Sequence, residues 1–281
     1  MDEFLSRLKL PIGDWVESGV VWIQDNLEPL LDGIAGVIGF LTDAFESALL
    51  FLPAWLLGLI LIALSTWRVS WKFGLFALIA LTTIIGMGLW QQTVQTLALV
   101  LAASAVALVL GIPVGIAMAR NDLVESVIRP VLDFMQTMPP FVYLIPAAIF
   151  FGLGKVPGAI ATVVFAMPPA VRLTNLGIRQ VSKEQIEAGL AFGCTRRQLL
   201  TKVQLPLAMP SIMAGVNQTI MLALSMVVIA SMIGAGGLGN TVLTGIQRLN
   251  VGLGFEGGLG VVILAILLDR ITQSFAPRRR G

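Results

Sequence analysis

The chain has 281 residues, of which 57% are hydrophobic and 12% charged, with a mean hydropathy of +0.90; soluble domains carry about 25% charged residues, so this is the composition of a membrane protein without room for a large soluble catalytic domain. Histidine is absent, which removes the commonest metal ligand, general base and proton relay, and the single cysteine, Cys194, allows neither an internal disulfide nor a thiolate metal cluster. The formal net charge is +2, and how the charge is distributed along the chain says more than its sum.

Residues 1–48 hold nine acids against two bases. Between the acids, Trp15, Val16, Val20, Ile23, Leu27, Leu30, Leu31 and Ile34 recur at three- and four-residue steps, which predicts an amphipathic helix lying along a membrane surface. The segment lacks the basic start and short apolar core of a signal peptide. Apolar runs then follow near 49–67, 73–90, 93–119, 131–151, 156–177, 208–233 and 258–276. Crossing a core of about 30 Å takes about 20 apolar residues, so the fold class expected is an all-α membrane protein of about seven transmembrane helices, behind the N-terminal interfacial helix. The fourth and fifth runs are interrupted by Met138-Pro139-Pro140, Pro146 and Met167-Pro168-Pro169, which predicts broken helices facing the protein interior, where neighbours can satisfy the freed carbonyls.

With the N-terminus outside, seven spans collect 14 of the 18 bases in the cytoplasmic loops and tail. The positive-inside bias therefore sets the N-terminus outside and the C-terminus in the cytoplasm. The expected divisions are an acidic segment 1–48, two accessory spans in 49–90, a five-helix core 91–276 with a loop 180–208, and a basic tail 277–281.

The loop 180–208 carries the most local structure. Ser182 and Gln185 fit a capping box, Glu184 and Glu187 suit the positive start of a helix over 183–192, and Gly193 marks its end in a left-handed turn. Thr195 to Gln198 fits a second capping box, and Pro206 is expected to stop the helix it opens. Helix, tight turn, helix is the result, compatible with a plain solvated loop, a docking element or a helix-turn-helix DNA reader. Arg196 and Arg197 sit in a first helical turn where cations oppose the dipole, so positive-inside retention or an acidic partner must explain them.

Glu187-Ala188-Gly189, then Gly193, then Val203-Gln204-Leu205-Pro206 resembles the EAA loop of ATP-binding-cassette importer permeases: Glu-Ala-Ala, three residues, Gly, nine residues, Ile-x-Leu-Pro. Gly189 replaces the second alanine and Val203 the isoleucine. From about 93 to 275 the chain is also similar to the glycine betaine/proline branch of that family, in Leu132–Pro139, Phe141–Leu144, Lys202–Pro210 and Met213–Met232, while residues 1–90 resemble it only in composition. The resemblance implies a type I importer permease fold in a bacterial inner membrane and a coupling loop of Ser182, Glu184, Glu187, Ala188, Gly189, Gly193, Arg196, Arg197, Leu205 and Pro206. It implies as partners a separate ATPase dimer that binds ATP and magnesium, an external binding protein and a second permease copy, with no nucleic acid and no cofactor in this chain.

Other motifs mislead. Phe151-Gly152-Leu153-Gly154-Lys155 ends like a phosphate-binding loop but lacks its first glycine and its Ser or Thr. Gly234–Gly239 and Gly252–Gly257 fit G-x-G-x-x-G without a preceding strand and are expected to be flexible outer loops. Gly111 and Gly115 suggest close helix packing. For a path, Asn217, Met221 and Ser225 share a face of the sixth run with Gln218 beside it; they could line the path or bond between helices. Met135, Met138, Phe141 and Tyr143 are similarly open between packing and a soft surface for a methylated cation. Acids are absent from the middle of every run, with Asp133 and Asp269 near the cytoplasmic ends, so a cation meets no fixed counter-charge midway.

Two functions compete. One is the permease of an ATP-driven importer of compatible solutes (glycine betaine, proline betaine or proline, with choline, carnitine or another methylated amine as near alternatives), forming the path and coupling it to the separate ATPase, with no enzymatic activity in this chain. The other is a stand-alone secondary transporter or channel, disfavoured because ionisable groups for proton coupling are missing from the spans.

Overall fold

The computed structural model describes residues 11–275. The basic tail 277–281 and the charges of residues 1–10 lie outside the described residues, among which every regular element is helical. Helix α1 (Ile12–Phe51) ends at Leu52-Pro53. The hairpin α2 (Ala54–Arg68) and α3 (Trp71–Gly86) comes after it, then the long α4 (Trp90–Arg120). Next come α5 (Asp122–Thr137), a 3-10 turn Pro140–Tyr143, α6 (Leu144–Phe151) and α7 (Lys155–Arg179). The loop contributes α8 (Lys183–Ala191), a single turn α9 (Arg196–Gln198) and a π-helical stretch Leu199–Gln204. The chain closes with α10 (Leu205–Ser231), α11 (Gly237–Gln247) and α12 (Val251–Gln273).

The centre is the trio α4, α7 and α10. In a membrane, helices gain little from the hydrophobic effect and associate by close contact, so small residues mark their seams. A Cβ on Gly115 of α4 would lie 2.6 Å from the Val171 carbonyl oxygen and 2.7 Å from Thr174 Cβ; one on Gly177 of α7 would lie 2.7 Å from Ser211 Cβ, and one on Gly215 of α10 3.2 Å from the Pro169 carbonyl oxygen. Gly111 packs the same way on Ala170 and Met167. Around this seam Leu97, Val100, Ala166, Ala223, Leu224 and Val227 fill the middle, and Leu81, Ile84, Leu238, Ile263 and Leu267 join α3, α11 and α12 outside it.

The structure differs from the expected elements in three places and keeps one expected break. Helices α2 and α3 have 15 and 16 residues, about 22 to 24 Å at 1.5 Å per residue, shorter than a bilayer core. The fourth run is broken where expected: α5 and the segment Pro140–Phe151 meet at 109°, because Pro139 and Pro140 supply no N–H at the break. The fifth run, expected to be broken, continues through Pro168 and Pro169 as one helix; contact with α4 and α10 on either side holds it straight where local sequence alone would not. Finally, Gly252–Gly257 belongs to α12 and is no loop. Its glycines let α11 lie against it, with a Cβ on Gly245 only 2.5 Å from Gly254 Cα. Of Gly234–Gly239 only the first half is a turn, with Gly234 and Gly236 at positive φ, and Gly237–Gly239 open α11.

Helix α1 is about 60 Å long by the same rise. It lies against α4, α6 and α7: Gln24 Nε2 donates to the Ile149 carbonyl at 3.0 Å, Ile38 packs with Leu99, Ala159 and Ala235, and Lys155 Nζ meets Glu46 Oε2 at 2.5 Å. Its stretch Gly13–Phe51 is long and apolar enough to cross a membrane.

The glycine seam yields a stability prediction. Gly115→Leu should separate α4 from α7 and lower the melting temperature of detergent-purified protein, overpacking costing about 1–3 kcal/mol. Gly258→Ala, where an added Cβ meets nothing within 4 Å, should leave it unchanged or slightly raised; equal effects at both sites would contradict the seam.

Candidate functional site: the 182–206 loop and the uncovered face of α10

The loop folds as its capping residues dictate. Ser182 Oγ accepts the Gln185 N–H at 3.4 Å, and the Thr195 capping box is closed both ways, Gln198 N–H to Thr195 Oγ1 at 3.3 Å and Thr195 N–H to Gln198 Oε1 at 2.9 Å. At the end of α8, Gly193 stands at φ +76°. Its N–H reaches the Leu190 carbonyl at 2.9 Å, and the Cys194 N–H reaches that of Gly189 at 3.1 Å, the paired bonds of a Schellman turn. Glu184 is exposed, and hydrogen bonds from its own N–H and from Ser182 hold its carboxyl below the usual range.

Beyond the turn the structure departs from expectation. Pro206 does not stop the second helix: α9 runs through Leu199–Gln204 into α10 as one continuous element. The wider π turn, with the Leu205 N–H reaching back to Leu200, makes room for a residue that lacks an N–H and would crowd an α-helical carbonyl. A helix fused in this way to a membrane span is no free DNA-reading helix.

Glu187 and Ala188 face solvent, and so do Arg196, Arg197 and Pro206, while Leu205 is half-buried. Gly189 is buried, and a Cβ there would come within 2.8 Å of Leu199 Cδ1, so glycine lets α8 lie flat on the π stretch. Beneath it Ile178, Leu200, Ala208 and Ile212 form a small core. Two apolar side chains that the sequence reading overlooked stand out from α8: Leu190, 51% exposed, and Phe192, 89% exposed.

The residues considered for a path separate into two groups. Asn217 Nδ2 donates to Asp269 Oδ1 at 2.8 Å, and Gln273 Nε2 bonds the same oxygen at 2.6 Å, so Asn217 makes the interhelical bond the sequence had left open. Tyr143 is buried against Phe165, its hydroxyl donating to the Met135 carbonyl, while Met135 and Met138 pack on the neighbouring clusters. By contrast Phe141 is exposed, and so are Gln218 and Ser225, with Met221 half-buried. Leu207, Ala214, Gln218, Ser225 and Met232 fall within about 60° of one another at 100° per residue and form one uncovered stripe along α10. Among the described residues no group of acids and thiols could hold a metal ion.

Residues 111–281 match the family described as the binding-protein-dependent transport system inner membrane component. The chain is 50% identical to the glycine betaine/proline betaine transport system permease protein ProW of Escherichia coli, over all of this chain and 80% of that protein. To the glycine betaine/carnitine transport permease protein GbuB of Listeria monocytogenes it is 51% identical, over 97% of this chain and 98% of that one. This chain is a member of that inner membrane component family. Its fold is shared with an inward-facing structure of the MetNI methionine ABC transporter, at a TM-score of 0.60 and 23% identity over 67% of this chain and 96% of that one. It is a multi-pass membrane protein whose regular elements, among the described residues, are all helical.

A charged cluster also escaped the sequence reading, which had counted its arginines only as topology signals. At the loop end of the bundle Arg179 Nη2 meets Asp122 Oδ1 at 2.6 Å and Glu125 Oε2 at 2.9 Å, and Arg172 pairs with Asp133. The available signal was the seven-residue spacing of Arg172 and Arg179, which puts both on one face of a helix.

The two groups around α10 should respond differently to mutation. Asn217→Leu removes one of the two donors to the half-buried Asp269 among the described residues, and the only one from another helix, and should lower thermal stability by about 1 kcal/mol, whereas Ser225→Leu on the open stripe should leave it near wild type. Thermal unfolding of the purified variants measures both.

Proposed function

We propose that this chain is the membrane-spanning permease subunit of an ATP-driven importer of glycine betaine and related methylated solutes. The observation that carries the reading is whole-length identity of about half to permeases named for glycine betaine, joined to a capped 182–206 loop that presents Glu187, Leu190 and Phe192 to solvent. Carnitine stands beside glycine betaine in the name of one relative, so the substrate is assigned as a class: compact solutes bearing a methylated ammonium. Such a cation is well captured by an aromatic cage, and that capture is assigned to an external binding protein, not to this chain. Hydrolysis of ATP, with its magnesium, is assigned to a separate ATPase pair. This chain itself catalyses nothing.

In this reading α8 docks on the ATPase through Phe192 and Leu190, with Glu187 at its rim. Because α8 packs on the π stretch and the π stretch continues into α10, movement of the docked helix is delivered directly to a transmembrane helix. One permease supplies one loop and an ATPase pair needs two, which favours a homodimer. The uncovered stripe of α10, with Gln218 and Ser225, is then the surface facing the path or the second copy. It offers hydroxyl, amide and thioether groups and no acid, so it holds a cation weakly and releases it. The five-helix core of 91–276 carries this machinery, with 49–90 as accessory helices. The N-terminal segment lies on the external face and the C-terminal tail in the cytoplasm. A stand-alone transporter has no use for the loop.

The central test is biochemical. An ATPase should co-purify with the chain, and hydrolysis by the complex should rise with glycine betaine and its binding protein; a chain that transports glycine betaine without any ATPase would refute the assignment. Within the complex, Gly193→Val must hold a β-branched residue at φ +76°, at a cost of about 1–2 kcal/mol, and should lose ATPase association and uptake. Gly193→Asn, which tolerates that conformation, should retain most of both. Reporter fusions give the orientation: one after Gly281 should be active only in the cytoplasm and one at the N-terminus only outside.

A further inference from the structure

Two residues, Gln180 and Val181, separate the end of α7 from Ser182, the cap of α8, and the connection has no slack. Gln180 N–H bonds the Leu176 carbonyl at 2.9 Å, Val181 is buried, and the Ile186 N–H already reaches the Ser182 carbonyl at 3.2 Å. The last residue of α7 is Arg179, and its guanidinium bonds three different elements at once. It donates through Nη2 to the Met118 carbonyl of α4 at 2.8 Å and to Asp122 in the first turn of α5, pairs by charge with Glu125 Oε2 of that turn at 2.9 Å, and donates through Nε to Asn175 Oδ1 of its own helix at 3.0 Å. Asn175, 8% exposed, closes the ring by donating to Glu125 Oε1 at 3.0 Å. Two turns back on the same face, Arg172 holds Asp133 near the other end of α5.

Helix α5 is therefore gripped at both ends by the helix that leads into the loop. Its opposite side carries Leu123, Val127, Val131 and Phe134, all at least half exposed among the described residues. Beyond α5 comes the proline break, bridged by the Tyr143 hydroxyl on the Met135 carbonyl, so α5 and the start of the broken segment move together.

We propose that Arg179 is the positioning residue that transmits displacement of the loop helix to α5 and the broken Pro140–Phe151 segment, with Glu125 and Asn175 as its anchoring partners. Asp122 is 90% exposed and its pair is largely screened; Glu125, 23% exposed, makes the effective contact. The planar guanidinium is required because its donors reach separate acceptors in a fixed fork, which an ammonium cannot reproduce. The role rests on the importer reading above, since it presupposes an ATPase that moves α8.

The test measures uptake and ATP hydrolysis on the same proteoliposomes containing the whole complex. Wild type is measured first: absence of an associated ATPase there would refute the importer reading itself. With wild type coupled, Arg179→Gln should lower uptake per ATP hydrolysed by on the order of tenfold while substrate-free hydrolysis stays within about twofold of wild type. Arg179→Lys should fall between, and Asp122→Asn should stay near wild type. Pairing Arg179→Glu with Glu125→Arg should recover most of the lost ratio. Glu125→Gln leaves α7 and α8 untouched and should lower the same ratio if Arg179→Gln fails to assemble. An unchanged ratio in Glu125→Gln or Arg179→Gln, or uptake and hydrolysis that fall in parallel, would overturn the transmission role.

Discussion

The architecture depends on how closely three helices can approach when lipid offers no hydrophobic reason for them to meet. Gly111, Gly115, Gly177 and Gly215 remove the side chains that would stand between α4, α7 and α10, and the backbones come into direct contact. Dispersion between such surfaces is individually small and grows with the number of atoms in contact, so the seam is both the strongest and the least forgiving part of the fold. It also explains why α7 stays straight through two adjacent prolines: the neighbours fix its course, and the local preference to break is overruled.

The same economy of side chains recurs where α11 folds back beside α12. Gly239 lies so near Val227 that a Cβ would be 2.4 Å from its carbonyl oxygen, and Gly245 meets Gly254. One polar bond orders this corner, the Leu238 N–H on Thr96 Oγ1 at 2.8 Å. Satisfying a helix start with a buried hydroxyl is the solution expected where water cannot reach. The bundle end nearest the loop is different in kind: it is held by arginine and carboxylate forks, in a region where charge can remain partly hydrated.

Much of this was legible in the sequence because the governing signals are local. Ser182 and Thr195 cap, Gly193 turns, and the spacing from Glu187 to Pro206 identifies the loop; each depends on residues within a few positions of one another. The long apolar runs gave α4, α10 and much of α12 for the same reason. What the sequence hid was set by partners far along the chain. Proline marks a possible break at both 139 and 168, and only the neighbouring helices decide which one is real. Asn217 stays open between lining a path and bonding to another helix until Asp269, 52 positions later, is seen beside it. Gly252–Gly257 looks like a loop because glycine is a poor helix former in isolation, whereas here its smallness is what α11 requires.

The π stretch at Leu199–Gln204 has a geometric consequence for α10. A π turn accommodates an additional residue within a helix, so it sets the angular phase of the span after it relative to the turn before it. Rewinding it as ordinary α-helix would turn the span by about 100°, one residue step. That step separates Asn217 from Gln218, the first facing Asp269 and the second facing open space. The few residues next to Pro206 thus act as the indexing point of a rotor, fixing which side of a helix more than twenty residues long is turned inward.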